Sequence, residues 1–171
     1  MPKLSSIWLI IGDIRRKISL PSLILLTILV IFLAVAILFT FHGSAQSPTA
    51  TVVFFDTSET VLAQAELQIS DTMITRYIGL SQTTFLGKNQ GMLFVHPSET
   101  NHVYVMRNMS FPIDIIFIDS QGTIVSIHHA SPELPPYTPY EGLSKWVIEL
   151  PYNWTLDHNI SPGDTVHIYL D

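Results

Sequence analysis

The sequence predicts a mainly β domain, a sandwich or small barrel with one short helix, carried behind a single transmembrane helix. Three observations lead there. Residues 23–41 run for nineteen residues without a charge. From residue 61 onward, six or seven short apolar stretches alternate with turn signals. Between them there is no rhythm of strand and long helix of the kind that builds a parallel α/β sheet. Composition agrees with this. Of 171 residues 47% are hydrophobic and 13% charged, where an ordinary soluble domain carries about 25% charged residues. Intrinsic disorder is excluded, and the length suits one domain. The absence of cysteine removes disulfide scaffolds, thiolate zinc sites and cysteine nucleophiles.

Residues 1–22 read as a basic, amphipathic cytoplasmic segment. Leu4, Ile7, Trp8, Ile11 and Ile14 share one helical face, which suits either the surface of the inner leaflet or a free tail. Residues 23–41 are the expected span. At about 1.5 Å per residue they reach about 28 Å, close to the hydrocarbon thickness of a bilayer. Thr27 and Thr40 are the only polar side chains in it, and each can bond to its own helix backbone. Arg15, Arg16 and Lys17 precede the span, and no base follows it until Arg76. The positive-inside rule then gives a single-pass cell-membrane protein with a cytoplasmic N-terminus and the remainder outside the cytoplasm. Gly43-Ser44-Ala45 offers a competing cleaved-signal reading, although the apolar core is longer than such peptides use. Both readings export the body.

Charge divides with the topology. Residues 1–45 hold four bases against Asp13, net +3, and the rest holds four bases against thirteen acids, net −9. An acidic body disfavours a nucleic-acid partner. Residues 42–60 are small and polar and read as a linker, with Val52–Phe55 open to a short strand or a membrane-surface contact. Residues 61–171 form the expected exported β-rich domain. Val61, Ala63, Ala65, Leu67 and Ile69 alternate as a half-buried strand does. Asp71 is placed to cap a helix running to about Leu80, with Met73, Ile74, Tyr77 and Ile78 as its apolar face. Further strands are expected at 92–95, 103–107, 114–119, 123–129, 146–150 and 165–170. Asp119–Gly122 reads as a hairpin turn. The unbroken apolar run Ile115–Ile118 calls for cover on both faces. Ser131–Tyr140 holds four prolines. It is either a stiff crossover or the rim of a cleft presenting Tyr137 and Tyr140.

Several of these residues fall into a known order. They are Gly79-Leu80, Gly91-Met92-Leu93-Phe94, Met106-Arg107-Asn108-Met109, Phe111-Pro112 and Ile113–Asp119, followed by Gly122, Ser131-Pro132-Glu133, Val147–Leu150 and Gly163-Asp164. Over roughly residues 61–170 this resembles the family catalogued as domain of unknown function number 192, most specifically in Met106–Asp119. The resemblance implies a compact β-sandwich of jelly-roll type, in proteins often secreted or membrane-anchored in bacteria and archaea. It implies no established reaction. Val105 stands where family members often have Trp, which removes an aromatic wall. Arg107 stands where many have Lys, which keeps the charge and changes the donor geometry.

Met106, Arg107, Asn108, Asp114 and Tyr137 are the candidate ligand-binding residues. Arg107 can hold a carboxylate or phosphate with two parallel bonds, and Asp114 can accept from hydroxyls. The competing reading pairs Arg107 with Asp114 to pin the connection between two strands. No catalytic residue, metal site or cofactor fingerprint is read from the sequence. His128 and His129 are adjacent in a strand and leave opposite faces. His96 and His102 converge only if the segment between them folds back. Asp114, Asp119, Glu133 and Glu149 are the carboxylates from which a glycan hydrolase would draw its acid–base pair, with Glu149 expected to face solvent or an arginine. The functional expectation is a binding or accessory module at the cell envelope, for a small polar ligand, a glycan or an envelope protein. Its rivals are the carboxylate hydrolase and a purely structural domain.

Overall fold

The computed structural model describes residues 20–41 and 47–170, the first group with side chains as far as residue 36. The expected amphipathic segment before residue 20 lies outside the described residues. The chain divides into two units, with the boundary between Gln46 and Ser47.

The described residues of the first unit form the helix α1 (Leu20–Phe41). Pro21 stands in its first turn, where a missing N–H costs nothing. The Thr27 hydroxyl donates to the Ile24 carbonyl at 2.8 Å, as a hydroxyl in an apolar helix is expected to. Among the described residues no helix is long and apolar enough to cross a membrane.

The second unit is built on seven strands: β1 (Thr49–Phe55), β2 (Val61–Ser70), β3 (Gln90–Tyr104), β4 (Ile113–Ile118), β5 (Ile124–Ala130), β6 (Tyr140–Pro151) and β7 (Thr165–Leu170). Two short helices join them, α2 (Met73–Ile78) after β2 and α3 (Trp154–Asp157) after β6. The strands form one sheet in the order β5-β4-β6-β3-β2-β1-β7. The outermost strands then meet at their first residues. Thr123 faces Thr165 as an antiparallel bridge. Ile124 N–H donates to the Asp164 carbonyl at 2.8 Å, and Val166 N–H to the Gly122 carbonyl at 2.8 Å. The result is a small barrel closed at one corner.

This corrects the two-sheet, jelly-roll expectation. The register shift between Val95 and Thr100 bends the long strand β3 against β6, and such irregularities curl one sheet round on itself. It also corrects the expectation that no β-α-β unit is present. β2 and β3 are parallel neighbours and α2 lies in the crossover between them. A six-residue helix is too short to leave a periodic signature.

The segment read as a linker holds β1. Ala50, Val52 and Phe54 are fully buried, and β1 pairs with both β2 and β7. Its outward residues include Val53 and Phe55, so the alternation that marks a half-buried strand is missing from the sequence. The barrel interior gathers Val52, Phe54, Leu67, Leu93, Ile116 and Ile148, among others. A second apolar cluster lies on the outer face of β3, β6 and β4 around Phe94, Met106, Ile115, Phe117 and Val147. β4 lies between the two clusters and is buried along its whole length, as its unbroken apolar run requires. Gly91 is fixed by close approach, since a Cβ there would sit 2.1 Å from the Glu149 carbonyl oxygen. The turn expected at Asp119–Gly122 is present, with Gly122 at φ 89 and the Asp119 carboxylate accepting from Gln121 and Thr123 N–H.

Candidate functional site

A cavity of about 430 Å³ opens on the outer face of the barrel, between α2, β3 and the segment after it. α2 forms because Thr72 and Thr75 cap it reciprocally, one residue later than the expected cap at Asp71. The helix is held by Arg76, whose Nη1 donates to the Val95 carbonyl at 2.8 Å and also to the Asp71 carbonyl. Its apolar residues are not its anchor. Met73, Ile74 and Tyr77 are exposed, and Met73 and Tyr77 rim the cavity.

Arg107 reaches the same cavity from the other side. Its Nη2 donates to the Tyr77 carbonyl at 2.6 Å, and its guanidinium lies 4.0 Å from the centroid of the Tyr77 ring. Two guanidiniums thus line one opening, and each spends donors on backbone carbonyls. Among the described residues neither has a carboxylate ion-pair partner. An arginine keeps five N–H donors in a planar fork, so donors are left to point at a ligand.

The bend in β3 supplies a wall of rings. It folds residues 96–102 back, so that His96 and His102 stack at 3.5 Å between centroids. His96 Nε2 and the Tyr104 hydroxyl lie 2.9 Å apart, and Tyr104 meets Phe94 edge to face at 5.1 Å. Burial, then the charges of His102, Arg76 and Lys145, hold His96 down at about 4, so its ring is neutral at pH 7. Burial, with the Glu149 carboxylate beside it, pushes the Tyr104 phenol well above its ordinary value. Among the described residues, no three metal-ligating side chains converge on one point.

Glu149 sits between these walls. It lies opposite Met92 on β3 and Ile115 on β4, which puts its side chain on the outer apolar face. It is 7% exposed and lines the cavity. Desolvation by burial pushes its carboxyl up to about 8. The expectation of a solvent-facing or arginine-paired Glu149 is therefore wrong, because the strand carrying it is covered on both faces.

The residues singled out from the sequence do not form one constellation. Met106 is buried and lines the cavity beside Arg107. Asn108 takes a left-handed φ of 57 in the turn that follows, exposed to solvent. Asp114 lies on the opposite face, fully buried. Its Oδ1 accepts from Asn153 N–H at 2.9 Å and lies 2.7 Å from His129 Nδ1. Its Oδ2 accepts from Thr155 N–H at 2.8 Å and from the Thr155 hydroxyl at 2.7 Å. Asp114 thus anchors α3, which sends Trp154 into the barrel core 5.2 Å from Phe54. Neither the shared Arg107–Asp114 ligand site nor the Arg107–Asp114 pin exists. Tyr137 lies outside the cavity, on a proline-rich connection drawn together by Glu133, which accepts from Thr138 N–H at 2.6 Å and from the Thr138 hydroxyl at 2.9 Å. The carboxylates proposed for hydrolysis are dispersed as well. Asp119 holds its turn, Asp114 holds α3, and Glu149 alone lines the cavity.

Comparison with known proteins places the chain. The model of the DUF192 family, described as "Uncharacterized ACR", matches residues 52–168. The chain belongs to the DUF192 family. A UPF0127 protein of Thermococcus sibiricus is 33% identical over 106 residues, covering 58% of this chain and 64% of its own length, so the match spans a little under two thirds of that relative. Two solved structures share the fold. A candidate transcription regulator from Sinorhizobium meliloti 1021 superposes with a TM-score of 0.66 at 24% identity, over 74% of this chain and 98% of its own. A protein of unknown function from Novosphingobium aromaticivorans gives 0.63 at 25% identity, over 74% and 89%. The DUF192 match begins inside β1, which agrees with the placement of that strand in the domain.

Proposed function

We propose that this DUF192 protein is a membrane-anchored, extracytoplasmic binding module whose outer cavity takes a small anionic molecule with an apolar portion. One observation carries the binding half. Arg76 and Arg107 line the same apolar-walled cavity with no carboxylate partner among the described residues. Charge-assisted bonds from two such groups suit a carboxylate or phosphate, and the aromatic wall suits the rest of the ligand. The anchoring half rests on the uncharged run from Leu23 to Phe41 and on the basic cluster before it. A net charge of −9 over the body argues against nucleic acid as the partner.

Thermal unfolding of the full-length protein in detergent tests the reading, with inorganic phosphate, pyruvate and glucuronate as probes. A probe at about 100 times its dissociation constant adds about 2.7 kcal/mol. The expected outcome is a rise in melting temperature with at least one probe, abolished by Arg107→Ala. A rise that Arg107→Ala leaves intact would place the binding site elsewhere.

A further inference from the structure

The buried carboxyl of Glu149 has no task inside the protein. Arg76 and Arg107 spend donors on the carbonyls of Val95 and Tyr77. The Tyr104 hydroxyl is within hydrogen-bond distance of His96. Among the described residues no hydrogen bond or ion pair reaches the Glu149 carboxyl, and burial is the sole cause of its shift. Yet the side chain points into the cavity rather than into the packed core.

We propose that Glu149 is a specificity residue of this cavity: it binds as a neutral carboxylic acid and donates a hydrogen bond to an acceptor oxygen at the inner end of the ligand. This rests on the anion-binding reading above and adds to it. The cavity then takes a molecule with an anionic group for the arginines and a carbonyl, hydroxyl or ether oxygen for Glu149, as in oxo acids, hydroxy acids and sugar acids. An ionised Glu149 with no partner in an apolar setting is costly, whereas a neutral acid gives the cavity an uncharged hydrogen-bond donor beside those of the arginines. The other titratable and charged groups lining the cavity are Arg76 and Tyr77 of α2, His96, His102 and Tyr104 of β3, and Arg107. Burial holds Glu149 protonated up to about pH 8, so the donor is in place at neutral pH.

The test uses the full-length protein in detergent, with pyruvate and glucuronate as acceptor-bearing anions and β-alanine as an amine-bearing control. Wild-type protein should respond to an acceptor-bearing probe below about pH 8 and lose about tenfold in affinity per pH unit above it. Glu149→Gln, which keeps a neutral donor, should bind and show no such fall. Glu149→Ala should bind about tenfold more weakly. Infrared spectroscopy at pH 7 should show a protonated carboxylic-acid band that Glu149→Gln lacks. Response to β-alanine alone, or binding that strengthens as pH rises, would mean an ionised Glu149 and overturn the inference. A response that depends on Arg107 but is unchanged in Glu149→Ala overturns this inference and leaves the anion reading standing. No response to pyruvate or glucuronate beside an Arg107-dependent response to phosphate overturns this inference alone, and no response to any of these three, or one indifferent to Arg107, overturns both.

Discussion

Asp114 and Arg107 belong to the same short run of sequence and serve different helices. Asp114 makes four polar contacts in full burial, to Asn153, Thr155 and His129. Removing such a carboxylate leaves several buried donors unpaired, which costs about 1–3 kcal/mol per group. Asp114→Ala should therefore lose about 3 kcal/mol or more in urea denaturation. Arg107→Ala gives up a stacking contact on Tyr77 and one hydrogen bond near the surface, worth about 1 kcal/mol. The double-mutant cycle should show coupling within about 0.5 kcal/mol of zero, and a large coupling would mean that the two side chains do meet. At this scale the sequence was only half legible. It flagged Met106–Asp119 as unusual, and alternation along β4 says which residues share a face. It does not say what stands across the sheet. Glu149 shows the gap: an acid between Ile148 and Leu150 in an apolar strand was the visible signal, but its burial depends on pairing with Met92 and Ile115, which lie far away in the chain. Arg76 gave no signal beyond its charge.

Strands were easier to find than to count. The hydrophobic runs located β2, β4, β5 and β7 to within a few residues. Two further runs, at 92–95 and 103–107, fall on one strand, because β3 continues through its bend across His96–Glu99, and it ends at Tyr104, so residues 105–107 lie beyond it. β1 was read as linker, with only Val52–Phe55 left open to a short strand, because apolar residues on both faces there remove the period-2 signal. Its place in the sheet has a direct consequence for truncation. β1 lies between β2 and β7 in the sheet, and it brings Val52 and Phe54 into the core. A protein starting at residue 61 should fail to give a cooperative melt, and one starting at residue 47 should give one. Circular dichroism on the two fragments decides it. A folded 61–171 fragment would mean that the barrel can close without β1.

Over the whole domain, a buried carboxyl and a partly buried imidazole shape the pH dependence of stability in opposite senses. Glu149 is raised from 4.5 to about 8 in the folded state. Its folded form binds the proton more tightly than its unfolded form, so it removes stability as pH rises from about 4.5 to about 8. His96 is lowered from 6.5 to about 4. Its unfolded form binds the proton more tightly, so it adds stability as pH rises from about 4 to about 6.5. The two slopes oppose each other over most of the lower window, and Glu149 acts alone above about 6.5. The expected curve is nearly flat below that point and then falls by a few kcal/mol at most up to about pH 8. Glu149→Gln should remove the fall and expose the rise due to His96. Urea denaturation across pH 4–9 checks this, and a wild-type curve with no loss between pH 6.5 and 8 would show that Glu149 is solvated in the folded protein.

The pairing of β1 with β7 has a mechanical consequence. The two strands run antiparallel, with Ala50 opposite Leu170 and Phe55 opposite Thr165. The start of the domain and the end of its last strand therefore lie side by side. Tension applied between those two points would peel the pair apart one rung at a time, starting at Ala50 and Leu170. It would not load all six pairs together. The domain is thus weak to pulling between its own ends, while a load taken at its first residue alone meets β1 held on both sides, by β2 and by β7.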